Sequence, residues 1–341
     1  LRAVLQHGIR DVRVADLPRP TPAPGEVLLR TRAVTICASD IHIYAEGNVG
    51  GVSWDRPFVP CHEAAAVVED PNRAALSPGT PVVVDPAVPC SSCDMCAVGN
   101  FHLCRNLRFL DLPPVDGAMR EFFPWPAAQV HALPASLDIV QAPLIEPLSV
   151  AVHAAELASS LDGRVVLVVG CGAIGLLTLQ MARLRGARQV FVTDLIPERL
   201  AVASELGADG AVQVGAVDPV EEIMGRTEGL GVDVSFEAAG PLEALQQCLD
   251  VLKPRGEVVV IGLPSDDEYR LSAAQLRRYE LTMRFVRRQN ENFPEAISLA
   301  TEGKVRLAPL LTHRFPVERA EEAFALTERK VEGAVRVAVT F

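Results

Sequence analysis

Three sets of residues in this chain have the types and spacing of chemical sites. The first runs through Cys37-Ala-Ser39-Asp40-Ile-His42 and Cys61-His62-Glu63, and is joined later by Pro143-Leu-Ile-Glu146-Pro-Leu-Ser-Val. Alone, Cys37 reads as a small core residue, His62 as a hydrogen-bonded interior histidine, and Glu146 as a helix cap. Together they offer a thiolate, an imidazole and carboxylates. That is the ligand set of a catalytic zinc with one position left for water or substrate. A cation held there makes a bound alcohol more acidic, and the resulting alkoxide can release hydride.

The second set is Cys90-Ser-Ser-Cys93-Asp-Met-Cys96, then Cys104. Four thiolates on short loops suit one tetrahedral zinc with a closed shell. Such a metal would hold a lobe together rather than meet a substrate. The plainer alternatives are buried thiols or a disulfide pair. The third set is Gly170-Cys-Gly172-Ala-Ile-Gly175, placed after the apolar run Val165-Val-Leu-Val-Val and before a helical pattern. Gly170 permits a tight turn, Gly172 lets a pyrophosphate approach the backbone, and Gly175 allows close packing of helix on strand. Amides at the helix N-terminus then face the phosphates. Asp194, which ends the next strand pattern, gives this triplet its meaning. A carboxylate there accepts hydrogen bonds from a ribose 2′-hydroxyl and repels a 2′-phosphate, which favours NAD over NADP. Arg199 follows, either over the adenosine or as a helix-surface charge.

Two kinds of element must position these residues. The first third of the chain carries short β-like runs, such as Glu26-Val-Leu-Leu-Arg-Thr-Arg-Ala-Val and Pro81-Val-Val-Val-Asp, separated by turn signals such as Pro24-Gly25. That texture predicts an irregular all-β lobe. After about Pro147 strand and helix patterns alternate, which predicts a doubly wound parallel sheet in an α/β protein. The tail from about Gln289 has a helical stretch around Ala296 and then β-like Ala334-Val-Arg-Val-Ala-Val, and is expected to pack back onto the first lobe.

Composition narrows the partners. The 341 residues are 49% hydrophobic, enough for two domains with sizeable cores. A net charge of -11 argues against nucleic acid or an anionic membrane as the main partner. No apolar run approaches the roughly 20 residues that cross a bilayer. Leu1-Arg-Ala-Val-Leu-Gln-His reads as a first strand and not as a signal peptide, so the cysteines are expected to be cytoplasmic thiols or metal ligands.

The combination resembles the zinc-dependent medium-chain dehydrogenases over essentially the whole chain. Glu146-Pro-Leu-Ser-Val-Ala-Val-His153-Ala and Thr312-His-Arg-Phe-Pro-Val-Glu resemble the sorbitol and xylitol dehydrogenase branch. The resemblance implies a GroES-like β-rich catalytic domain at 1–147 and 289–341, with a structural zinc lobe at 88–106, and a Rossmann NAD-binding domain at 148–288. It implies two zincs per chain. Cys90, Cys93, Cys96 and Cys104 would hold the structural one, and Cys37 and His62 the catalytic one. Of Glu63 and Glu146, one would bind that zinc and the other its water; the two stay unranked. Ser39 would pass the substrate proton outward to His42, as a hydroxyl that both donates and accepts can do. Ile174, Asp194, Arg199, Gly262 and Leu263 map onto cofactor contacts, and Arg288 onto an arginine near cofactor and substrate hydroxyls.

There are departures. Cys61 stands where the family usually has glycine, and is expected to change packing rather than tighten the pocket. Ile43 replaces a tyrosine of sorbitol dehydrogenases, with Tyr44 adjacent, and the loop from Gly47 to Trp54 is unlike the polyol pattern. The expectation is an NAD- and zinc-dependent dehydrogenase that reversibly oxidises a secondary hydroxyl of a polyol or sugar-like substrate, working as a homodimer or homotetramer. The alternatives are a threonine-type dehydrogenase of the same family and a non-catalytic NAD-binding zinc redox sensor.

Overall fold

The computed structural model describes residues 1–264 and 268–341. These form two compact units. One comprises Leu1–Glu146, Phe293–Gly303 and Leu311–Phe341; the other comprises Pro147–Asn292 and Lys304–Leu310.

The first unit is built on a mixed sheet. Its main path runs Val130–Ala132, Pro81–Val84, Glu63–Asp70, Glu26–Thr35, Arg336–Thr340, Leu311–Pro316, and Phe122–Pro126 also pairs with Glu26–Thr35. Valine, alanine and leucine on these strands pack with Phe123, Trp125 and Phe324 into one core. The ladder between Glu26–Thr35 and Glu63–Asp70 is antiparallel and ends with Thr35 opposite Glu63. Beyond that pair one chain runs on to Cys37 while the other arrives from His62. The two ligand motifs therefore meet because the register places them at the same end of one ladder.

Among the elements that depart from the all-β expectation, one carries Ser39 and His42. Ala38–Glu46 is a helix that begins at Cys37, with Asp40 accepting a hydrogen bond from the Cys37 amide at 2.8 Å. This is the return half of a capping arrangement. The helix buries Ile43 and Tyr44 and puts Ser39 and His42, three residues apart, on one face.

In the second unit six strands pair in parallel in the order Gly210–Gln213, Gln189–Asp194, Val165–Val169, Val232–Glu237, Leu252–Val260, Thr282–Phe285. Reversal of strand order at Val165–Val169 is the topology of the doubly wound dinucleotide-binding sheet. All five residues of that strand are buried, which explains its continuous apolar run. Among the described residues no helix is long and apolar enough to cross a membrane.

Candidate metal and dinucleotide sites

At the ladder's end in the first unit, donor atoms of Cys37, His62 and Glu63 all lie within 4.8 Å of one another. Asp40 fastens both chains there. One carboxylate oxygen takes the amide of Cys37 at 2.8 Å and the other takes the amide of Cys61 at 3.0 Å. Asp111 reaches His62 from the segment after the strand Arg108–Phe109 and hydrogen-bonds its Nδ1 at 2.6 Å, while the Phe109 ring packs 5.2 Å from the imidazole. Nε2 is then the ring nitrogen left for a metal. Glu63 accepts a short hydrogen bond from the Thr35 hydroxyl and pairs at 2.9 Å with Arg336, a guanidinium only 7% exposed. Arg336 also donates to the Ile36 carbonyl at 2.8 Å, so three neighbouring strands converge on the site.

Charges agree with a cation site. Burial first, then the Asp111 charge, pushes Asp40 up to about 7. Burial also pushes Glu146 up to about 7; nearby His62 opposes that rise and nearby Glu63 adds to it. For His62 burial works against the imidazolium, but the charge and hydrogen bond of Asp111 outweigh it and lift its pKa well above the ordinary value. A divalent cation among these groups would pull the carboxyl values down and displace the imidazole proton. Thiolate, imidazole and carboxylate donors around a shared point fit zinc with an open position. Glu146 lies on the first turn of the helix Ile145–Leu157, 4% exposed, within the field of His62 and Glu63.

Cys61 is fully buried in the core at φ 72. This left-handed conformation is easy for glycine and rare for a residue with a Cβ. Its carbonyl accepts the Ala118 amide at 2.7 Å. Gly117 sits so close beneath that a Cβ there would lie 2.5 Å from the same carbonyl oxygen. Burial raises the Cys61 thiol pKa well above the usual value. Tyr44 is no substitute for the missing tyrosine: its ring is buried against Phe324, with centroids 5.1 Å apart. Ser39 and His42 are partly exposed, and His42 Nδ1 stands 3.4 Å from Glu46 Oε1.

Donor atoms of Cys90, Cys93, Cys96 and Cys104 also lie within 4.8 Å of one another, and all four thiols are free of disulfides. With Zn–S bonds of about 2.3 Å, tetrahedral sulfurs stand about 3.8 Å apart. Sγ of Cys93 and Sγ of Cys96 are 3.5 Å apart here. Hydrogen bonds from Ser92 push the Cys90 thiol down to about 5, while burial and the neighbouring thiols push Cys96 up to about 12. The set fits a closed tetrathiolate zinc. The strands Ala87–Val88 and Arg108–Phe109 pair at the base of this loop.

In the second unit Gly170 turns at φ 95 and donates to the Thr193 carbonyl at 2.8 Å. Gly175 packs so tightly that a Cβ would lie 1.7 Å from the Gly170 oxygen, whereas a Cβ on Gly172 would meet nothing within 4 Å. The turn therefore has open space at Gly172 and none at Gly175. Asp194 accepts the amides of Cys171 at 2.6 Å and Ile196 at 2.8 Å. Arg199, partly buried on the helix Pro197–Glu205, lies within charge range of Cys171. Ile174 is half-buried on the first turn of the helix Ala173–Leu184, and Leu263 is 46% exposed. Gly262 leaves no room for a side chain, since its Cβ would lie 2.5 Å from Glu237 Oε2. Arg288 is partly buried at φ 57 and Arg287 is exposed.

Sequence reasoning assigns no role to Thr35, Asp40, Asp111 or Arg336. Asp40 is missed because its stretch reads as part of an all-β lobe and the cap before it is a cysteine. The other three carry no local signal.

Residues 173–302 match the zinc-binding dehydrogenase family, and residues 23–135 match the alcohol dehydrogenase GroES-like domain. The chain is 38% identical to sorbitol dehydrogenase of Macaca fascicularis, across 94% of this chain and 91% of that one. It is 33% identical to sorbitol dehydrogenase of Bacillus subtilis, across 95% and 92%. Among solved structures, L-idonate 5-dehydrogenase of Escherichia coli superposes with a TM-score of 0.90 at 29% identity, covering 100% of this chain and 98% of that one.

Proposed function

We propose, from the premise that this chain belongs to the zinc-dependent medium-chain dehydrogenases in their polyol branch, that it oxidises a secondary hydroxyl of a sugar alcohol to a ketone, reversibly, with NAD. The observation that carries the reading is the convergence of Cys37, His62 and Glu63 at one ladder end. These three would hold the catalytic zinc, and Cys90, Cys93, Cys96 and Cys104 a structural one. Bound there, zinc supplies Lewis acidity toward the substrate hydroxyl.

The chain's own residues do the rest. Ser39 takes the hydroxyl proton and passes it to His42, and Glu46, beside His42 at the exposed end of the helix, passes it to water. Glu146 orients water next to Glu63, and its burial keeps it able to change protonation near neutrality. Bound in the second unit, NAD would supply the hydride acceptor. The Gly170, Gly172 and Gly175 turn would hold its pyrophosphate, and Asp194 its ribose hydroxyls. Ile174, Arg199, Gly262, Leu263 and Arg288 would line the cofactor. A homodimer or homotetramer in the cytoplasm completes the proposal; eight thiols without a disulfide agree with a reducing compartment.

The test is a panel of polyols and L-threonine followed by NADH absorbance, alongside metal analysis. Turnover of at least one polyol and two zincs per chain are expected. Strong activity on L-threonine with none on any polyol would overturn the substrate class. Intact NADH binding without turnover of any alcohol would favour a sensor.

A further inference from the structure

His62 is held by a contact that the ligand motif does not contain. The Asp111 carboxylate, 3% exposed, lies 2.6 Å from Nδ1 of a histidine that is itself 6% exposed. The nearby acid, Asp40, is committed elsewhere, with its two oxygens taken by the amides of Cys37 and Cys61. The ring is thus left to Asp111. Asp111 reaches it from the left-handed region, φ 71, which aspartate adopts more readily than most side chains but less readily than glycine. A residue with a Cβ is uncommon there, and glycine would serve the backbone better. What the position gains from aspartate is the carboxylate.

We infer that Asp111 is a positioning residue for the metal proposed above: it fixes the tautomer and direction of the His62 ring, so that Nε2 is presented alongside Cys37 and Glu63. A carboxylate behind a metal-bound imidazole orients the ring and raises its basicity, and losing such a partner typically weakens metal affinity about 10–100-fold. The segment that delivers Asp111 is itself well anchored. It leaves the strand Arg108–Phe109, which pairs with Ala87–Val88, and on the way places the Phe109 ring against His62.

The inference rests on the zinc reading, and the experiment separates the two. Full-length wild type, Asp111→Gly and Asp111→Asn are stripped of metal, titrated with Zn2+ against a chromogenic chelator, and melted as apoproteins. Wild type is expected to bind two zincs. Asp111→Gly should keep the cysteine-cluster zinc; glycine suits the backbone, but loss of the buried acceptor of His62 Nδ1 should lower apoprotein melting somewhat. Its affinity for the second zinc should fall about 10–100-fold. Asp111→Asn should recover most of that loss, since its carboxamide oxygen still accepts from Nδ1 and asparagine tolerates the left-handed region. Second-zinc affinity in Asp111→Gly within twofold of wild type would overturn the inference. So would equal loss in both variants accompanied by an equal fall in apoprotein melting, the mark of a merely structural role. A wild type that binds only one zinc would refute the metal assignment itself.

Discussion

Gly172 and Gly175 stand three residues apart in one turn, yet alanine at the two positions should act in different ways. A Cβ on Gly175 would lie 1.7 Å from the Gly170 oxygen and 2.9 Å from its carbonyl carbon. Both are backbone atoms of the turn, so neither can swing aside. Gly175 is inside the helix Ala173–Leu184, where alanine is favoured over glycine by about 1 kcal/mol. Overpacking costs about 1–3 kcal/mol, and more where backbone must move. With an overlap this deep the upper end applies and the clash wins. Gly175→Ala should lose about 2 kcal/mol or more net, at about 2–4 °C of melting temperature per kcal/mol for a unit of this size. The lifted helix should weaken NADH binding as well.

Gly172→Ala meets no such obstacle. Its Cβ would touch nothing within 4 Å, and its backbone, at φ -70 and ψ -177, suits any residue. Stability should stay within about 0.5 kcal/mol of wild type. The methyl would nevertheless occupy the space proposed for the pyrophosphate, so NADH affinity should fall at least about tenfold, or 1.4 kcal/mol. Thermal unfolding and NADH fluorescence titration of both variants read the two effects separately. An unchanged or raised melting temperature in Gly175→Ala would refute the close-packing argument. Unchanged NADH affinity in Gly172→Ala would show that the phosphates do not approach at that point.

Three further outcomes can be checked. Asp194→Ala removes the proposed ribose acceptor and two hydrogen bonds to the turn, so NAD should bind more weakly and the NADP/NAD activity ratio should rise; a steady ratio contradicts the ribose assignment. Arg336→Met leaves Glu63 buried without its guanidinium, and should cost about 3–5 kcal/mol in urea unfolding of the metal-free chain. A cost below about 1 kcal/mol would mean that Glu63 loses its charge instead. Cys93→Ser removes one of four thiolates from the closed cluster, so metal analysis should find one zinc fewer per chain with a lower melting temperature. Retention of both metals would show that the cluster is not a zinc site.

The parts of this protein legible in its sequence are those whose determinants are local. The glycine turn, the cysteine cluster and the motif around Cys37 each lie within one short stretch, and the burial of Val165–Val169 on both faces shows directly as an apolar run. What brings Cys37 to His62 is not local. It is the pairing of Thr35 with Glu63, and a one-residue slip of that ladder would turn every side chain to the other face. Arg336 comes to Ile36 from 300 residues away and sits among valines on a strand buried almost throughout, where alternation cannot separate an inward charge from an edge one. Asp111 was illegible for a different reason, and Cys61 showed only as a departure from the family's glycine. Each occupies a left-handed backbone position that calls for glycine, at φ 71 and φ 72. Each also stands at His62, one beside it in the chain and one hydrogen-bonded to its ring. Local misfit of this kind persists only where surrounding structure over-determines it. Here the surroundings are the Asp40 clamp on the Cys61 amide, the Ala118 amide on its carbonyl, and the imidazole at Asp111. That both misfits flank one side chain is the physical reason to regard His62, more than Cys37 or Glu63, as the residue around which this end of the sheet is arranged.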